Sequence, residues 1–154
     1  MARAIGLVAA SKRRRGGIAR AHEQFDPSPV FRRARDFCDR AYSEWYVLST
    51  TYLLVPPQQA IGAAEPPLHL LSASDRAAWA ESVAQRLRLR ASRSAEPLTF
   101  FLYASQQYTE LLMRAAPDLS FQRPLSGMSF VEQLHWYDDH LRIESRMLAR
   151  PSRT

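Results

Sequence analysis

Apolar runs alternate with polar, periodic segments along this chain. Trp45-Tyr46-Val47-Leu48 is an unbroken apolar run, the pattern of a strand covered on both faces. Residues 4–10 read as a strand before it, residues 97–103 as a third, and residues 119–123 as a weaker fourth ended by Pro124. The segments between them have helical spacing. Val30, Ala34, Phe37 and Ala41 form one stripe, with Arg32, Arg33, Arg35, Asp36, Asp39 and Arg40 largely on the other side, as an amphipathic surface helix requires. Ser28 and Pro29 suit its N-cap and first turn. Trp79, Val83 and Leu87 line a second helix, capped by Ser72 or Ser74. Tyr108, Leu111, Leu112 and Ala115 line a third, opened by Ser105. Phe130, Leu134, Tyr137 and Leu141 line a fourth, expected to end near Met147. Residues 18–25 fit either a helical turn or irregular chain. Residues 56–71, with Pro56, Pro57, Pro66 and Pro67, form a long loop of about sixteen residues, a length more often functional than decorative.

Strands alternating with helices predict an α/β single domain. The expected core is a mostly parallel four-stranded sheet flanked by helices. The domain covers residues 1–148, and residues 149–154 form a loose C-terminal tail.

Parallel strands place their carboxyl ends on one edge of the sheet, and ligands of open α/β sheets sit just outside that edge. Ser11 and Lys12 follow the first strand. Ser49, Thr50, Thr51 and Tyr52 follow the second, Ser105 the third, and Ser126, Gly127 and Ser129 the fourth. Hydroxyls and free backbone N–H groups at helix starts suit an anion or a nucleobase edge. Lys12 is expected to contact phosphate. Ser11, Ser49, Thr50 and Ser105 are expected to hydrogen-bond, and Tyr52 to stack. A competing explanation is that the serines only cap helices. For Ser129 it is the better one, because Glu132 completes an S-x-x-E capping box.

Composition narrows the partner. Net charge is +6, which favours polyanions such as nucleic acid or phosphorylated ligands. Arginine supplies 20 of the 21 basic residues, so Lys12 stands apart as the single lysine, directly after the first strand. No apolar run approaches ~18 residues, which excludes a membrane-spanning helix. The apolar start of the chain precedes its positive cluster, the reverse of a secretory signal. The one cysteine, Cys38, has no internal disulfide partner, which fits a reducing, cytoplasmic setting. It lies beside a core stripe, where a thiol behaves as a small hydrophobe.

Catalytic signatures are sparse. No G-x-S-x-G, phosphate-binding loop or dinucleotide fingerprint occurs, and Gly16-Gly17 is too little for one. His22 and His69 lie in loops that could fold over the edge, but the better reading is that both are ordinary surface or hydrogen-bonded histidines. His135 and His140 are five apart, which does not align two metal ligands on a helix, so no metal site is expected. No cofactor is expected either.

Ala9-Ala10-Ser11-Lys12, Ser28-Pro29-Val30-Phe31, Val47 to Leu54 with Pro56, Leu102-Tyr103-Ala104-Ser105 with Tyr108, and Pro124-Leu125-Ser126-Gly127-Met128-Ser129-Phe130 occur in a characteristic order. In it the chain resembles a small bacterial family of uncharacterised proteins. Their outline is a Gly-Cys-Ser-Lys start, a Leu-Ser-Ala-Lys-Tyr-Gly-Leu loop and a Pro-Leu-x-Gly segment before the last helix. The likeness spans about residues 5 to 141. It implies that Ser11, Lys12, Ser49, Tyr52, Tyr108 and Gly127 are retained site residues. Ala10 stands where the family has cysteine, Thr51 for a lysine, Leu53 for the loop glycine and Ser105 for the third-strand glycine. More distantly, the middle loop resembles that of the YaaA-like peroxide-stress proteins, which implies recognition of DNA or a nucleobase.

The expected function is binding of a nucleobase, nucleotide or nucleic-acid phosphate at the carboxyl edge. An enzymatic extension is N-glycosidic bond chemistry, for which Glu23, Asp26 or Glu132 are the local carboxylates. The alternative is a degenerate, non-catalytic module whose partner is a protein.

Overall fold

The computed structural model describes residues 2–149, with side chains through Arg142. Strand β1 is Arg3–Ala9, β3 is Trp45–Ser49, β4 is Leu53–Val55, β6 is Leu98–Tyr103 and β7 is Ser120–Gln122. They form one sheet in the order β4-β3-β1-β6-β7. The expected four strands are present, and a fifth, β4, joins them. It runs antiparallel to β3, while β1, β3, β6 and β7 pair in parallel. The single domain is therefore α/β with a mostly parallel sheet, as the alternation of elements requires.

The added strand changes the Trp45 region. The chain does not leave β3 into a loop: it turns through residues 50–52 and comes back, with Ser49 opposite Leu53. Leu53 adopts φ +68°, a left-handed conformation natural to glycine and strained for leucine. It is the position where the resembling family carries glycine. With no Asn-Gly or Asp-Gly at the turn, the usual hairpin signal is missing from the sequence.

Four long helices cover the sheet: α2 (Pro29–Ala41), α3 (Ala73–Ser92), α4 (Gln106–Ala115) and α5 (Phe130–Ala149). Alternate residues of β1 separate two cores. Val8 faces Phe31, Ala34 and Cys38 of α2 and Tyr137 of α5. Ile5 and Leu7 face Trp79, Val83 and Leu87 of α3 and Leu112 of α4. Gly6 lies in the middle of β1 because α2 ends against it: a Cβ there would lie 2.8 Å from Cδ2 of Tyr42 and 3.1 Å from Sγ of Cys38. Ser28 and Ser72 cap α2 and α3 by accepting from Phe31 N and Asp75 N. The tail expected over residues 149–154 lies, beyond Ala149, outside the described residues.

Two segments read as irregular are ordered against each other. In residues 18–25, β2 (Ala19–Arg20) leads into a single helical turn, α1 (Ala21–Gln24). In the long loop, β5 (Ala60–Ile61) pairs antiparallel with β2. The buried Gln24 side chain donates to the carbonyls of Gly17 and Ile61, at 3.0 and 3.1 Å. A 3-10 turn, Leu68–Leu70, places the buried Leu68 under the loop's end. Neither segment has a long apolar period, so strand pairing between them was not readable locally.

Candidate functional site

The direction of chain progression reverses at the centre of the sheet. From β1 the chain crosses to β3 on one side, then back across to β6 on the other. The carboxyl ends of β1 and β6 are level there, with Val8 opposite Tyr103. Strands diverging in this way leave a crevice between the loops that follow them. A cleft of about 500 Å³ lies at this point, within the size range of small-ligand sites. One end is apolar: Val30 and Phe31 of α2, Leu125, and Tyr137 of α5 line it. The other end is polar, with Ser11, Lys12, Ser105 and Tyr108.

Two further clefts adjoin it. A recess of about 140 Å³ shares Ser11, Lys12, Ser105 and Tyr108, and its roof is residues 65–69 of the long loop. A broader cleft of about 590 Å³ shares Ser105, Leu125 and Gln133, and continues past Ser126, Gly127, Ser129 and Arg123. Gly127 turns the chain there at φ +80°, which only glycine adopts without strain. Ser105 touches all three spaces.

Ser105 is the N-cap of α4, yet its hydroxyl makes no capping hydrogen bond. It remains available together with the free first-turn N–H groups of the helix. The exposed Lys12 side chain has no ion pair or hydrogen bond among the described residues. At the apolar end, Tyr137 is fully buried, and its hydroxyl has no hydrogen-bond partner among the described residues. Burial pushes the Tyr137 and Tyr108 phenols above the ordinary range, so both are neutral hydroxyls at physiological pH. Nearby, the hydroxyls of Tyr42 and Tyr103 bond to each other, and burial moves Tyr42 up to about 12.

The hydroxyl cluster after β3 has a different task. Ser49 is fully buried and donates to Oε2 of Glu65 at 2.6 Å. Its oxygen accepts from the N–H groups of Thr51 and Tyr52 at 3.2 and 2.9 Å. Thr50 N–H donates to Oε1 of Glu65 at 2.5 Å. Thr51 holds the carbonyl of Ala64 at 2.7 Å, and the Tyr52 hydroxyl accepts from Gly62 N–H at 3.0 Å. Trp79 Nε1 donates to the carbonyl of Ser49 at 2.8 Å and locks the strand end from the α3 side. Ser49, Thr50, Thr51 and Tyr52 thus fasten the long loop, and none of them lines the three clefts.

Glu65 is the centre of this fastening and only 5% exposed. Oγ1 of Thr50 lies 2.8 Å from Oε1 of Glu65 and 2.7 Å from the carbonyl oxygen of Pro66. A hydroxyl has one proton to donate. Thr50 therefore shares its one proton between these two acceptors. Burial drives the Glu65 carboxyl above its ordinary range, against the opposing hydrogen bonds from Ser49 and Thr50 and the charge of Arg14. Arg14 is close because its Nη1 donates to the Glu65 carbonyl at 2.9 Å.

Of the residues anticipated from the strand ends, the fold brings Ser11, Lys12, Ser105 and Tyr108 to the central cleft and Ser126, Gly127 and Ser129 to its neighbour. Ser129 and Glu132 form the expected reciprocal capping box, at 3.1 and 3.2 Å. His69 does fold over the edge and lines the recess. His22 does not: it lies beside Arg35 and Glu23. Glu23 and Asp26 are held in ion pairs with Arg15, and Asp26 also pairs with Arg35. Cys38 is fully buried, and desolvation raises its thiol well above the ordinary range. The described residues contain no group of three or more His, Cys, Asp or Glu that could hold a metal ion. No helix among them is long and apolar enough to cross a membrane. Sequence reasoning missed Glu65, Gln133 and Phe130. For Glu65 the one usable signal was a carboxylate between Ala64 and Pro66 in a loop too long to be bare.

Residues 5–139 match a family of unknown function, DUF6884, and the chain belongs to it. This agrees with the resemblance to an uncharacterised family. No curated protein and no solved structure matches the chain. None of these comparisons links the chain to YaaA-like proteins.

Proposed function

We propose that this member of the family binds a nucleotide in the cleft between β1 and β6. The supporting observation is the pairing of an uncommitted Lys12 with the uncapped N-terminus of α4 at one end of a cleft whose other end is apolar. Phosphate fits the polar end, where Lys12, the Ser105 hydroxyl and the first-turn N–H groups of α4 supply charge and donors. A base fits the apolar end against Phe31 and Leu125, with the neutral Tyr137 hydroxyl buried beside it. The long loop, fastened through Glu65, roofs the phosphate end.

The site supports binding more directly than bond cleavage. Glu23 and Asp26 are tied to arginines, Glu132 to the Ser129 cap, and both oxygens of Glu65 to Ser49 and Thr50. Among the described residues, each of these carboxylates is already engaged.

Calorimetric titration with a panel of nucleosides and their monophosphates at low salt tests this. A charge-assisted phosphate contact is worth about 1.5–3 kcal/mol, so each monophosphate is expected to bind at least about tenfold more tightly than its nucleoside. Lys12→Ala should erase most of that difference. No binding by any of the panel, or unchanged binding in Lys12→Ala, would refute the reading.

A further inference from the structure

The three clefts adjoin one another along the carboxyl edge. The recess and the central cleft share Lys12 and Ser105, and the central and broad clefts share Ser105 and Gln133. Each of the two larger compartments, about 500 and about 590 Å³, has room for a nucleotide-sized group. A cation stands toward each end. Lys12 follows β1, and Arg123 follows β7, two strands away in the sheet. Neither side chain has an ion pair among the described residues. Two inter-strand spacings set β1 and β7 roughly 10 Å apart across the sheet, and the register leaves the end of β7 level with Gly6, short of the end of β1, which lengthens the gap. One phosphate does not span that distance. Phosphates of one strand do, at about 3.4 Å of rise per nucleotide in stacked form.

Phe130 is the second observation. It is 60% exposed and lines the central cleft from the start of α5. Its neighbours Ser129 and Met128 line the broad cleft, so the ring stands near the junction of the two. Packing does not explain an exposed ring there. An aromatic platform between two phosphate-binding cations is how single strands are held without base pairing. Glu132, the carboxylate in the broad cleft, is engaged by the N–H of Ser129.

We propose that the natural ligand is a short single-stranded oligonucleotide. One phosphate sits at Lys12 and the α4 N-terminus, a later one at Arg123, and a base stacks on Phe130. This rests on the nucleotide reading of the central cleft and extends it.

The test is fluorescence anisotropy with end-labelled probes: a 5′-phosphorylated mononucleotide, a tetranucleotide and a duplex containing the tetranucleotide sequence, each in DNA and RNA form. The tetranucleotide of at least one sugar type should bind about tenfold or more tightly than the mononucleotide. The duplex should bind more weakly than the single strand. Arg123→Ala should remove most of the gain while leaving mononucleotide affinity within about twofold, and Phe130→Ala should weaken the tetranucleotide more than the mononucleotide. If the mononucleotide binds and the tetranucleotide binds no tighter, the inference fails and the nucleotide reading stands. If the duplex equals the single strand, or Arg123→Ala keeps the gain, the inference also fails. If no probe binds, both fail.

Discussion

Replacing Glu65 with alanine should release the long loop and destabilise the whole domain. Three groups lose their partner: the Ser49 hydroxyl, the Thr50 N–H and the Thr50 hydroxyl. Ser49 is fully buried, so its hydroxyl cannot turn to water, and a buried unsatisfied donor costs about 1–3 kcal/mol. Thr50 is only half-buried and keeps the Pro66 carbonyl as an acceptor, which lessens its share. The sum is roughly 3–5 kcal/mol, a large part of the ~5–15 kcal/mol that holds a typical domain together. Urea unfolding followed by tryptophan fluorescence measures it, since Trp79 bonds to the carbonyl of Ser49. Thermolysin digestion adds a local readout, because Leu68 and Leu70 lie in the released segment and should be cut faster. A Glu65→Ala protein within about 1 kcal/mol of the parent, with unchanged cleavage at residues 68–70, would refute the fastening role.

Three further outcomes follow from the same geometry. Because the fold raises the Glu65 carboxyl, its contribution is fully present below the ordinary glutamate value of about 4.3 and is lost as pH rises through the raised folded value. Glu44, Asp118 and Glu132 are lowered and lose their contribution only toward acid. Stability scanned upward from about pH 4.5 should therefore fall, and Glu65→Gln should flatten that slope; a rising slope in the parent contradicts it. Leu53→Gly relieves a strained φ of +68°, whereas Leu54→Gly relieves nothing, and both leucines are half-buried against the same core. Leu53→Gly should therefore be at least about 1 kcal/mol less damaging than Leu54→Gly by urea midpoint, and equal losses would remove the strain explanation. Gly6→Ala sets a Cβ 2.8 Å from the Tyr42 ring and should cost about 1–3 kcal/mol, measurable by thermal unfolding; a neutral result would mean that Tyr42 yields freely.

Much of the sheet was readable because its central strands are buried on both faces. Tyrosines aside, residues 4–10 and 45–48 carry no polar side chain and residues 97–103 only that of Thr99, and they became β1, β3 and β6. Helix starts were readable from Ser28, Ser72 and Ser129, whose hydroxyls accept the expected N–H groups. The hairpin was hidden because the turn carries Thr-Thr-Tyr and then a leucine at positive φ, where local propensity calls for glycine. The pairing of β2 with β5 was hidden because each is two residues long and neither has a period. The strand-end rule brings Ser11, Lys12 and Ser105 to one cleft, since their positions follow from parallel topology alone. It did not separate them from Ser49 and Thr50. Those two became fasteners because Glu65 reaches them from 16 and 15 residues away. A contact of that kind depends on the path of a loop, which composition does not encode.

The central claim is that phosphate of a nucleotide lies between Lys12 and the N-terminus of α4. A crystal structure of the protein soaked with a nucleoside monophosphate tests it most directly. The account predicts density for the phosphate within hydrogen-bond distance of Nζ of Lys12 and Oγ of Ser105, with the base toward Phe31 and Leu125. A nucleotide bound away from the β1–β6 edge, or an empty cleft at saturating ligand, would contradict it.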